Sequence, residues 1–424
     1  MKKIFIFLLL FPLGNIYAQI NFNDFFTDKV LRFDYMFAGN STNTQVFPLE
    51  FRQEQYYGGS KTQLIEPFDY GNFKYEVFDK ATNTLIYSRG FCTLFQEWQA
   101  TEEAKEISRS FHKVATMPFP KREITFVMSE RKGDGKFAKI YETDIKPDNY
   151  FILRESPISA NYSKVVDSGD PAKCVDIVFL AEGYTLDEMP KFRSDVRKMT
   201  DILFEAEPYN ENKNKINIWA VESPSNESGT DIPGENIYKN TVMNSSFYTF
   251  DVDRYLTTLD LKSVNDYAGL VPHDNIIILV NTSKYGGGGV YNYYSITAVD
   301  NKYSNTVFVH ELGHSFAGLA DEYYTSEVPS EEYYKFDVEP WEPNITTLVD
   351  VHSKWENMID KSTPVPTPPE PKYYNTLGLF EGAGYSATNI YRPTFNCTMK
   401  SNEADGLCPV CTKAIIDMIN FYCE

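Results

Sequence analysis

The chain has 424 residues, 42% of them hydrophobic and 23% charged, a globular composition that excludes a disordered or fibrous chain. Fifty-nine acidic side chains against 40 basic ones give a formal charge of −19, whose field repels nucleic acid and anionic membrane surfaces and excludes both as main partners. The length suits two or three domains, and 31 Phe with 30 Tyr favour β-structure in part of the chain.

Residues 1–18 read as an export signal peptide rather than a buried strand. Lys2 and Lys3 precede an apolar stretch, Ile4 to Pro12, that is too short to span a bilayer, and Ala18 offers a cleavage site before Gln19. No later run of 18 apolar residues follows, so the expected product is a soluble periplasmic or secreted protein. Residues 19–160 read as a β-sandwich domain. Lys74 to Phe78 and Arg122 to Val127 alternate with period two, and Gly39-Asn40, Gly58-Gly59 and Gly133-Asp134-Gly135 mark turns between such runs. This stretch carries no cluster that suggests chemistry, so it is expected to be separable and to serve positioning or substrate binding.

The pattern changes in residues 161–424, which read as an α/β domain with a mostly parallel sheet. Cys174 to Leu180 is a nearly continuous apolar run, and Thr185 with Glu188 forms a capping box for a helix reaching about Glu205. Ile216 to Val221, Asn275 to Val280 and Val290 to Val299 read as further strands, and Tyr285 with Gly286 to Gly289 as a flexible loop. Five prolines between Thr363 and Pro371 form a stiff surface loop.

His310-Glu311-Leu312-Gly313-His314 is an H-E-x-x-H motif in an apolar setting, and it holds two of the chain's five His. Positions i and i+4 share a helix face, so both imidazoles can converge on one Zn²⁺, with Glu311 placed as general base. The helix is expected to end at Gly318 in a left-handed turn. Asp321 is the expected third ligand; Glu322 and a remote Glu331 or Glu332 are the alternatives.

Six Cys remain after export: Cys92, Cys174, Cys397, Cys408, Cys411 and Cys423. Four fall at the C-terminal end, where disulfides are the first reading for an exported protein. The Cys408-Pro409-Val410-Cys411 spacing leaves a redox pair open, and also a structural zinc site completed by Cys397 and Cys423.

The segment His310 to Tyr323 resembles the catalytic segment of the M64 peptidase family, named for a bacterial IgA-cleaving metallopeptidase. Asp176 to Thr185, Asn226 to Asp231, Tyr285 to Gly289, Tyr391-Arg392-Pro393 and Cys397-Thr398-Met399 are similar to other stretches of it. The resemblance implies a zincin-like, metzincin-like α/β catalytic domain and a zinc endopeptidase acting on a polypeptide or glycoprotein. It makes Met399 the Met-turn residue beneath the metal, on a segment stapled from Cys397 to Cys411. Gly287 and Gly288 become cleft rim, beside an edge strand to which substrate could add. Tyr391, Tyr385 and Arg392 become candidates for stabilising the transition state. Relative to metzincin spacing, Gly318 and Asp321 each lie one residue late. Two other functions compete: a zinc aminopeptidase or other amide hydrolase, and a non-catalytic surface binding protein, against which the intact Glu311 argues.

Overall fold

The computed structural model describes residues 20–325 and 333–424. The expected export signal and the alternative ligands Glu331 and Glu332 lie outside the described residues. The first part of the chain is strand-rich. β1 (Phe26–Asn40), β2 (Asn43–Glu54), β3 (Phe73–Asp79) and β4 (Thr84–Phe91) lead into a short helix, α1 (Leu94–Gln99). β5 (Arg109–Pro120), β6 (Ile124–Arg131) and β7 (Phe137–Ile145) follow. All pairings are antiparallel, giving sheets ordered β2-β1-β5 and β4-β3-β6-β7. In β3 the buried Phe73, Tyr75 and Val77 alternate with the partly exposed Lys74, Glu76 and Phe78, as a strand with one covered face requires. Phe33 of β1 lies 5.4 Å from Phe126 of β6, and Phe37 lies 4.7 Å from Phe73 of β3, so the two sheets pack face to face.

The second part mixes helices with one larger sheet. β8 (Tyr162–Val166), β9 (Val175–Glu182), α2 (Met189–Glu205), β10 (Ile216–Val221), α3 (Leu261–Ala268) and β11 (Asn275–Val280) lead to β12 (Gly287–Val290), β13 (Tyr294–Ala298) and α4 (Ser304–Ala317). A ribbon of β14 (Phe380–Ala383) and β15 (Ser386–Arg392) precedes the last helix, α5 (Pro409–Cys423). The sheet order is β12-β13-β11-β9-β10-β8. β13, β11, β9 and β10 run parallel, while β12 and β8 are antiparallel edges. Every residue of β9 and β11 is buried, which is why both read as mainly apolar runs, interrupted only by the buried Asp176, Glu182 and Asn275. Thr185 and Glu188 form the expected capping box ahead of α2.

One strand differs from the sequence reading. Val290 to Val299 is not a single strand but the end of a hairpin. β12 stops at Val290 and β13 starts at Tyr294, because Asn292 takes a left-handed φ of 49° and turns the chain. The glycines themselves form the edge strand.

The two parts share one continuous core of buried side chains. Arg32 of β1 is fully buried, paired with Asp34 at 2.6 Å and with Asp266 of α3 at 2.7 Å. The Arg89 guanidinium lies 4.8 Å from the Phe421 ring, and the Cys92 N–H donates to Tyr291 O at 3.0 Å. A cut at residue 160 would expose these apolar and charged groups, so the interface argues against a separable first domain. Among the described residues no helix is long and apolar enough to cross a membrane.

Candidate metal centre

Helix α4 packs on β12 and β13 and buries Val307, Phe308, Leu312 and Ala317, while His310 and His314 border a cleft. Gly318 ends the helix at φ 63°, with its N–H on His314 O. The chain then reverses. Asn344 holds the return segment by accepting from Ala320 N–H at 2.7 Å and donating to Ala320 O at 2.9 Å. Asp321 is thereby carried back over the histidines, and its Oδ1 lies 3.0 Å from His310 Nε2 and 3.3 Å from His314 Nε2.

The ring orientations are set from behind. His310 Nδ1 lies 2.9 Å from Thr398 O, and His314 Nδ1 lies 2.6 Å from Leu319 O. A carbonyl only accepts, so Nδ1 carries the hydrogen and each neutral ring presents a lone pair at Nε2. The two Nε2 atoms stand 3.0 Å apart, and Asp321 Oδ1 is buried with no hydrogen-bond donor among the described residues. Three acceptors thus face one another, an arrangement that a cation resolves. This donor set of two imidazoles and a carboxylate fits a divalent metal. The second oxygen, Oδ2, accepts from Tyr385 Oη at 2.6 Å. Burial alone would raise the Asp321 carboxyl, but the two imidazoles hold it well below the usual range. With no cation bound, burial lowers both imidazoles but Asp321 raises them on balance, so a proton occupies the place that a metal would take and that metal binding would displace.

Glu311 stands beside this group, not in it. Burial pushes its carboxyl up, opposed by the two imidazoles. It borders the cleft of about 330 Å³, which Gly287, Gly288, Tyr323 and Tyr385 also line. The glycines are needed for contact. A Cβ at Gly287 would sit 2.8 Å from Glu311 Oε1, and one at Gly289 would sit 2.3 Å from the Glu311 carbonyl oxygen. The outer edge of β12 is already paired at Gly287, whose O accepts from Leu256 N–H at 3.2 Å. Glu97 of α1 brings a carboxylate from the first part of the chain into the same cleft, accepting from Tyr255 Oη at 2.5 Å.

Met399 is fully buried beneath α4, where its Sδ would lie 2.9 Å from a Cβ at Gly313. Its neighbour Thr398 supplies the carbonyl that holds His310. Tyr391 and Arg392 are placed elsewhere. Tyr391 exchanges backbone bonds with Thr346 at 2.8 and 3.0 Å, and the buried Arg392 directs its guanidinium to the carbonyls of Glu381, Gly382 and Phe395. Neither lines the cleft. The expected disulfides among Cys397, Cys408, Cys411 and Cys423 are not formed; all six Cys are free. Cys397 and Cys411 Sγ are 3.9 Å apart, and Cys423 lies away from them, with its Sγ 3.7 Å from Lys215 O. Sequence reasoning did not single out Glu97 or Arg254 for the cleft, since each comes from a segment with no motif of its own, nor Tyr323, which ends the His310 to Tyr323 segment but falls at no metal-ligand spacing.

A helix presenting two imidazoles, a returning carboxylate and a second carboxylate beside an open cleft define a metal-dependent hydrolase. The sequence comparisons give the family. Residues 164–377 and 369–419 match the family model IgA Peptidase M64, and residues 21–142 match Peptidase M64 N-terminus. The chain belongs to the M64 family of metallopeptidases, so it is a peptidase with a protein substrate. No match to a curated protein was found.

Proposed function

We propose that the protein is an exported, zinc-dependent endopeptidase with a zincin-like catalytic domain, holding one catalytic zinc through His310, His314 and Asp321. The convergence of three acceptor atoms with no donor between them carries this reading. Two imidazoles and one carboxylate would hold zinc at the edge of the cleft. The zinc would supply Lewis acidity for the scissile carbonyl and lower the pKa of a water. The residues do the rest. Thr398 O and Leu319 O fix the tautomer and direction of the rings, and Tyr385 orients Asp321. Glu311, raised by burial, takes a proton from the attacking water and returns it to the leaving amine. Met399 forms the floor under the helix, in keeping with a Met-turn. Export rests on residues 1–18 and is tested by N-terminal sequencing of the secreted protein, expected to start at Gln19.

Glu97 favours one second reading, an aminopeptidase, because a carboxylate in the cleft is what a substrate α-ammonium needs. A peptide panel with free and acetylated N-termini separates the two. Wild type is expected to cut acetylated peptides internally. Glu311→Gln should lose about 10²–10⁴-fold in turnover with zinc content unchanged. Equal turnover by Glu311→Gln would overturn the assigned role, and cleavage confined to free N-termini would favour the aminopeptidase.

A further inference from the structure

Behind the histidine–aspartate group lies a second convergence. Cys397, Cys408, Cys411 and Glu322 are all buried, and their ligand atoms lie within 4.8 Å of one another. They come from three pieces of chain: Glu322 follows Asp321, Cys397 precedes the Met399 turn by two residues, and Cys408 and Cys411 sit at the start of α5. The measured edges are 3.9 Å between Cys397 and Cys411 Sγ and 3.3 Å between Cys411 Sγ and Glu322 Oε1. Tetrahedral zinc, with Zn–S about 2.3 Å and Zn–O about 2.0 Å, gives S–S edges of about 3.8 Å and S–O edges of about 3.5 Å.

The surroundings also suit a metal thiolate. The Cys408 N–H donates to Cys397 Sγ at 3.2 Å, and the Cys411 N–H donates to Cys408 Sγ at 3.4 Å. Glu322 gives an independent sign. Its side chain is fully buried, Oε1 accepts from Asn344 Nδ2 at 3.0 Å, and Oε2 has no partner among the described residues. A disulfide would join two of the three sulfurs and leave the third thiol and this carboxylate unexplained. A cation accounts for all four groups. Three thiolates and a carboxylate around Zn²⁺ leave a negative site, which the backbone N–H groups of Cys408 and Cys411 partly offset.

We infer that Cys397, Cys408, Cys411 and Glu322 form a second, structural zinc site, closed to solvent and distinct from the catalytic one. Binding would release the thiol protons to water. The sequence alternative of Cys397, Cys408, Cys411 and Cys423 is thereby altered in one member, Glu322 replacing the distant Cys423. The site would act as a buckle. Glu322 N–H donates to Met399 O at 2.8 Å, so fixing this residue fixes both the third catalytic ligand, Asp321, and the turn that holds His310.

The test uses the full chain carrying His310→Ala and His314→Ala together, which removes the catalytic site and leaves the second intact. Metal analysis is expected to find one zinc per chain in this variant and two in wild type. Replacing that zinc with cobalt should give thiolate-to-metal charge-transfer absorption, lost when Cys397→Ser and Cys411→Ser are added. Should the cysteine variants fail to fold, the metal count and cobalt spectrum of the histidine variant decide alone. Alkylation after denaturation with chelator and without reductant should modify all six thiols. A zinc-free histidine variant, or a wild-type chain two thiols short, overturns the inference while leaving the catalytic site standing.

Discussion

Tyr385 offers the most direct probe of how the metal-binding carboxylate is held. Its hydroxyl donates to Asp321 Oδ2 at 2.6 Å, while Oδ1 of the same carboxylate faces the imidazoles. Tyr385→Phe removes that bond and keeps the ring, which packs against Tyr323 and Tyr333 at 5.6 and 6.2 Å. A hydrogen bond to a charged acceptor contributes about 1.5–3 kcal/mol. Part of it is present without metal, so only the part that orients Oδ1 appears in binding, and outer-shell losses of this kind run to about 10–100-fold in affinity. The assay measures peptidase activity recovered by the stripped enzyme as free zinc is raised in a metal buffer. The midpoint for Tyr385→Phe is expected to be about 10–100-fold higher than for wild type, with the melting temperature of the stripped proteins little changed. A midpoint within about twofold of wild type would show that the hydroxyl does not set the ligand, and the reasoning would fail.

Two further outcomes follow from packing and burial. Burial pushes Glu54 up to about 7 against the pull of Arg32, so the folded chain keeps a proton that the unfolded chain, at its ordinary 4.5, has released. That preference holds in full below about pH 4.5 and is lost as pH rises through about 7. Glu54→Gln should therefore match wild type in acid and exceed it by roughly 1–3 kcal/mol above neutrality, measured by denaturant unfolding across pH. A variant less stable than wild type in alkali would refute this. Gly289→Ala would put a Cβ 2.3 Å from the Glu311 carbonyl oxygen and 2.9 Å from His314 Cβ. Prising β12 from α4 should cost about 1–3 kcal/mol and lower activity, whereas an unchanged melting temperature would show that the strand yields freely.

The parts legible in the sequence are those governed by local periodicity. H-E-x-x-H fixes two imidazoles on one helix face, Gly318 ends the helix, and the nearly continuous apolar runs of β9 and β11 mark a doubly covered sheet. Asp321 was within reach because it follows that turn closely. The Cys397 group was not legible as a set, since Glu322 and Cys411 stand far apart in the chain and meet only through the return after Gly318. Glu97 is the same case. Its sequence context is an ordinary helix, and only the packing of the first part on the second brings it to the cleft. Tyr391 and Arg392 show the converse. Their likeness to a family stretch drew attention to them, but carbonyls hold the Arg392 guanidinium, and the backbone ladder to Thr346 fixes Tyr391 outside the cleft lining.

The glycine strand beside α4 has a consequence for selectivity. A wall made of Gly286 to Gly289 presents peptide groups and no side chains, so it cannot distinguish one substrate residue from another. Whatever discrimination the cleft exercises must be written in the rest of its lining, where Tyr323, Tyr333, Tyr334 and Tyr385 gather with Arg254. Retuning the choice of cut site is then a matter of resizing aromatic rings. The bare wall, which cannot be enlarged without driving strand from helix, stays the same for every sequence cut.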